Sequence, residues 1–167
     1  MDKKKITACL EEINEALQKQ GLSGEICLYG GAVMCLVYEA RPSTKDVDAI
    51  FKPSREIREI AKNVGNKNGL GDNWLNDAVK GFLVEHKREV LFDFSNLKVY
   101  VPEPDYLLAM KALASRVDST DGQDIRFLVK KLGIKTPQEA FNIVEKYYPR
   151  QRIKPATQFF IEEILEK

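Results

Sequence analysis

YGGAVMCLVYEARPSTKDVDAIF, residues 29–51, is the stretch on which the fold reading turns. Tyr29 closes a short strand pattern, EICLY at 25–29, and the pair Gly30–Gly31 opens a helical stretch, AVMCLVYEA, apolar almost all round and so suited to burial against a sheet. Pro42 ends that helix, because the residue before a proline is pushed out of the helical region. KDVDAIF at 45–51 then alternates, with Val47, Ala49 and Phe51 on one face and Asp46, Asp48 and Ile50 on the other. The glycine pair offers backbone N–H groups with no side chain in the way, a place for a phosphate to approach; the same pair also fits a plain tight turn. Asp46 and Asp48 put two carboxylates on one side of a strand, Cβ atoms about 7 Å apart. If their oxygens converge to ~5 Å, repulsion at an effective dielectric near 20 is roughly 3 kcal/mol, and a cation relieves it. Mg²⁺ takes hard oxygen ligands and is commonly shared between one or two carboxylates and substrate phosphates. Arg41, Lys45 or water would balance the pair equally well at an exposed strand end.

Outward from this unit, Ile6, Leu10, Ile13 and Leu17 follow a helical period over residues 3–19, and Gly21 stops that helix. Pro53 and Ser54 start another, through about residue 64, and NVGNKNGLGDN reads as a loop before a short amphipathic piece at Trp74 to Gly81. EVLFDFS (89–95) and LKVYV (97–101) form a hairpin across Ser95–Asn96. Helical patterns follow near 103–117, 122–132, 137–147 and 155–166. The expected fold is α/β in the α+β sense: a small mixed sheet with helical cover over 1–102, and a C-terminal helical region, 103–167, packed on it as one unit.

At 167 residues and 44% hydrophobic content there is no room for a second large domain. Lys plus Arg number 26 against 25 for Asp plus Glu, so the net charge of +1 supplies no global field for nucleic acid or membrane, and any affinity for phosphate has to be local. Cys9, Cys27 and Cys35 show neither zinc spacing nor a disulfide framework and read as reduced packing residues. No apolar run is long enough to span a bilayer, and Glu11, Glu12, Asn14 and Glu15 fall where the core of a signal peptide would be, which points to the cytoplasm.

The glycine pair, the spacer and Asp-x-Asp together resemble the signature of the DNA polymerase beta-type nucleotidyltransferase superfamily. GGA followed by RPSTKDVDA is similar to the version found in bacterial nucleotidyltransferase-like proteins related to abortive-infection and toxin–antitoxin toxins. WLNDAVKGF and PDYLLAMKALASR extend the likeness to about residue 132. The resemblance implies that Gly30 and Gly31 hold a nucleoside triphosphate, that Asp46 and Asp48 ligate Mg²⁺ (or Mn²⁺), and that Arg41 and Lys45 flank the phosphates. Thr44, on the same strand face, would orient a metal-bound water or simply fill the strand. The superfamily adds a third carboxylate from a neighbouring strand as general base; Asp93 is the candidate, alternating with Phe92 and Phe94, and it equally fits a solvent-facing position. Lys111 or Arg116 would reach a triphosphate from a helix beside paired acids at Asp121 and Asp124, or belong to a solvated helix face. His86 fits an exposed turn, and Trp74 either stacks on a base or anchors its loop.

Three functional readings follow. The first is a metal-dependent nucleotidyltransferase acting on a hydroxyl of RNA, protein or a small molecule, with a toxin-type enzyme and its antitoxin-type protein partner as one form of it. The second is a nucleotidyltransferase-fold binding or regulatory module without turnover. The third is a generic α/β scaffold in which DVD is only a polar strand end. Lys146, Arg150, Arg152 and Lys154 form a basic cluster that reads as a solvated helix end or as a local patch for RNA.

Overall fold

The computed structural model describes residues 1–114 and 120–166. The expected α+β class is what it shows: a five-stranded mixed sheet and seven α-helices among the described residues. The chain divides into two units, residues 1–83 with 88–102, and residues 84–87 with 103–167.

In the first unit, α1 (Lys3–Lys19) is capped by Asp2, whose carboxylate accepts from the Lys5 N–H at 2.8 Å. Its stripe of Ile6, Leu10, Ile13 and Leu17 is fully buried, each side chain contributing about 1.5–3 kcal/mol of burial. The strands are β1 (Gly24–Tyr29), β2 (Val47–Lys52), β3 (Leu75–Asn76), β4 (Arg88–Asp93) and β5 (Leu97–Pro102), in the spatial order β3-β2-β1-β5-β4. β1 pairs antiparallel with β2 and parallel with β5, and β5 pairs antiparallel with β4, the expected hairpin. Ile26, Leu28, Val47, Ala49, Phe51, Leu97, Val99 and Val101 are all buried and share one face by register, as the alternation in KDVDAIF requires.

Two further helices complete this unit, and both depart from the sequence expectation. α2 (Gly30–Leu36) stops after seven residues, well before Pro42: Val37 caps it and Glu39 adopts a φ of 51°, turning the chain back toward β2. α3 (Ser54–Lys67) runs through Gly65, so half of the expected loop is helix. Gly65 is there for contact: a Cβ on it would lie 2.6 Å from Cδ1 of Trp74, which is buried and donates its indole N–H to the Ala61 carbonyl at 2.7 Å. Trp74 thus anchors its segment. The short piece expected from Trp74 to Gly81 is β3 followed by a 3-10 turn at Ala78–Phe82.

The second unit holds α4 (Pro104–Ala114), α5 (Thr120–Lys131), α6 (Pro137–Glu145) and α7 (Pro155–Leu165). Thr136 caps α6 by accepting from Glu139 N–H at 3.3 Å. Residues 84–87 join this unit through Tyr106, whose hydroxyl accepts from the Val84 N–H at 3.2 Å and shares a hydrogen bond with the Tyr148 hydroxyl at 3.0 Å. His86 is no exposed turn residue: it is half-buried and stacks on Tyr106 with ring centroids 3.9 Å apart. No helix among the described residues is long and apolar enough to cross a membrane.

Candidate functional site

Where β1 ends, Asp48 of β2 stands opposite Tyr29, and the next residue, Gly30, has a φ of 59°. A Cβ on Gly30 would lie 3.1 Å from Asp48 Oδ2, so that carboxylate sits over the glycine. The returning chain comes closer still at Gly31, where a Cβ would lie 2.6 Å from Thr44 Oγ1 and 3.0 Å from Arg41 Nη1. Both glycines are needed because residues 41–48 pass directly over them, and Gly30 also because of its left-handed backbone. Thr44 is held in place on both sides: it is buried, its N–H donates to the Met1 carbonyl at 2.9 Å and its hydroxyl donates to the Asp46 carbonyl at 3.1 Å. Gly31→Ala therefore has to displace a fixed neighbour. We expect a loss of about 1–3 kcal/mol, the usual range for overpacking, read as a lower urea midpoint at unchanged slope.

Five of the residues singled out in the sequence are thus brought together: Gly30, Gly31, Arg41, Thr44 and Asp48. Asp46 and Lys45 lie on the exposed rim just before β2 begins, and Asp48 is half-buried behind them. Thr44 is not on the strand face as expected. It precedes β2, and its hydroxyl turns back to the main chain of Asp46, which makes it a support for the carboxylate segment.

Asp93 requires a correction. Its face was read correctly, since it pairs with Lys98, while Phe92 pairs with buried Val99 across a bulge between Val90 and Phe92. Its end of the sheet was not. Lys98 is in register with Glu25 at the start of β1, and Asp48 is in register with Tyr29 at the other end. Three strand spacings across and four residues along separate the two by about 20 Å. Asp93 is largely exposed, with Lys98 Nζ at 3.9 Å, and does not complete a carboxylate triad.

Lys111 lies in the second unit, buried, with its ammonium 2.6 Å from Asp121 and 2.7 Å from Asp124. Arg116 lies outside the described residues. One candidate that the sequence reading missed is Asn76, which β3 places beside Asp48 in register. A strand of two residues leaves no alternation to read. Asp77, next to it, is engaged by Arg58 at 2.7 Å and by Lys80, and these hydrogen bonds hold its carboxyl down at about 2.

Among the described residues no group of three or more His, Cys, Asp or Glu side chains is placed to hold a metal ion. The oxygen donors at this rim, two carboxylates and a neighbouring amide, are hard ligands that would suit a Mg²⁺ shared with a substrate phosphate and would not make a closed all-protein cage.

A family model described as a nucleotidyltransferase of unknown function (DUF6036) matches residues 4–150. The chain belongs to this family. No curated relative and no solved structure matches it.

Proposed function

We propose that this member of a nucleotidyltransferase family binds a nucleoside triphosphate with Mg²⁺ (or Mn²⁺) at the rim between β1 and β2 and transfers the nucleotidyl group to a hydroxyl acceptor. The observation that carries the reading is the convergence of Asp48 over Gly30 and of Arg41 over Gly31. Asp46 and Asp48 hold the metal, which when bound supplies charge neutralisation at the α-phosphate and the departing pyrophosphate. Arg41 and Lys45 take the remaining phosphate charge. Thr44 keeps Asp46 at the strand start. The acceptor oxygen bonds to the α-phosphorus, the bond to the β-phosphate oxygen breaks, pyrophosphate leaves, and the hydroxyl proton passes to solvent at the exposed rim. RNA, protein and small molecules all carry suitable hydroxyls, and a toxin-type enzyme of the cytoplasm held by an antitoxin-type protein would fit the same chemistry. A second reading, nucleotide binding without turnover, is favoured by the position of Asp93 at the opposite end of the sheet.

Thermal melting with each NTP and Mg²⁺ tests the site. Ligand at 100 times its dissociation constant stabilises the native state by about 2.7 kcal/mol, or roughly 5–10 °C for a chain of this size. Absence of a shift with every NTP sinks both readings. A shift without transfer of label from α-labelled NTP to total RNA, protein extract or small metabolites selects the second.

A further inference from the structure

Outside the glycine–aspartate rim, the charge of the second unit is unevenly spread. Between residues 126 and 159 the sequence has eight Lys and Arg against two Glu, and from Lys146 to Phe159 it has no acidic residue, although the whole chain is only +1. The basic side chains in this run are not simply solvated. Residues 150–152 form a 3-10 turn between α6 and α7, and both of its arginines lie over rings: the Arg150 guanidinium carbon is 4.1 Å from the centroid of Phe141, and that of Arg152 is 5.3 Å from the centroid of Tyr148. The rings are buried, so the guanidinium planes are held at the surface with much of their rotational freedom already lost. Lys146 and Lys154 flank the turn and are exposed. On the first turns of α7, whose start is tied to the same region by the Gln158 side chain donating to the Ile153 carbonyl at 3.0 Å, Phe159 leaves 70% of its surface exposed, the most of any large hydrophobic residue described. Four cations, two of them set over rings, and one bare aromatic ring within a single acid-free run of chain match the chemistry of an unpaired nucleic-acid strand, whose phosphates need the cations and whose bases need a face to stack on. Acidic protein or lipid surfaces need only the first.

We infer that the surface made by Lys146, Arg150, Arg152, Lys154 and Phe159 binds single-stranded nucleic acid. The inference goes beyond the transferase reading and does not rest on it, because every residue used lies within the second unit.

Fluorescence anisotropy of the full chain with a labelled oligouridine or oligothymidine of about twelve nucleotides tests it, that length lying within the site sizes of about 4–16 usual for such surfaces. Four phosphate contacts predict a salt slope of about −2.8, an affinity falling roughly fiftyfold between 50 and 200 mM salt. Lys146→Glu with Lys154→Glu is expected to weaken binding more than tenfold and to lower the slope by about 1.4, with an unchanged melting temperature. Phe159→Ala is expected to weaken it about tenfold, again without loss of stability. Retention of affinity in the double charge reversal overturns the proposal. So does retention in Phe159→Ala, which leaves only an electrostatic patch, and so does equal binding of polyglutamate or of phosphatidylserine vesicles.

Discussion

Asp46→Asn combined with Asp48→Asn is expected to lower nucleotidyl transfer by about 10³-fold or more with the fold retained. In the proposed site the carboxylates supply the charge that attracts a divalent cation, and a metal's stabilisation of charge in phosphoryl transfer is worth several kcal/mol, of which about 4 corresponds to 10³-fold. Asparagine removes that charge at both positions while keeping the side-chain shape. Asp46 is exposed, so its own charge contributes little to stability. The glycines below tolerate the change, because asparagine keeps the shape that Asp48 presents to Gly30. Transfer assays and urea titrations check both halves. More than a tenth of wild-type activity in the double variant would remove these residues from the mechanism, and a large loss of stability would make them structural. The Mg²⁺-dependent part of the NTP-induced melting shift should disappear in the same variant.

Lys111→Ala is expected to have the largest effect on stability, about 3–5 kcal/mol out of a total of roughly 5–15 for a domain. Asp124 is only 3% exposed and meets the Lys111 ammonium at 2.7 Å, so removing the lysine takes a charged partner from a buried carboxylate. Asp121, more accessible, holds the same ammonium at 2.6 Å and can turn to water when the lysine is gone. Replacing the pair together, Lys111→Met with Asp124→Leu, is expected to recover part of the loss, because some of the cost is a buried carboxylate kept without its lysine. Urea midpoints of the single and double variants decide this. A loss below about 1 kcal/mol in Lys111→Ala, or a double variant no better than the single, would contradict a buried structural ion pair.

Much of the fold was legible because its signals are local. Four apolar residues at helical spacing gave α1 from end to end, and alternation in KDVDAIF placed Asp48 on the face opposite Val47 and Ala49. The clustering of Gly30, Gly31, Arg41 and Asp48 followed from their sharing one strand–turn–helix–strand unit. What was not legible depended on partners distant in sequence. Gly65 looked like a loop residue and is a helix residue shaved to admit Trp74. α2 ends early because the chain has to return over Gly31, a demand that the apolar run AVMCLVYEA does not carry. Thr44 continued the strand's alternation on paper, but its buried bonds to Met1 and Asp46 hold it before the strand starts. Asp93 shows the limit most clearly: alternation tells which face of a sheet a residue is on, whereas strand order and direction tell which end, and those are set by pairing.

The buried indole of Trp74 also makes the molecule its own spectroscopic reporter. It is the one tryptophan in the chain and belongs to the first unit, while Tyr106, Tyr147 and Tyr148 belong to the second. Tryptophan emission therefore follows the sheet unit alone, whereas far-ultraviolet dichroism is weighted toward the helices of both. Unfolding curves that superpose by the two probes mean one cooperative transition; curves that separate measure how independently each unit melts. In Lys111→Ala, a fall in the dichroism midpoint with an unmoved emission midpoint would localise the damage to the helical unit without any added label.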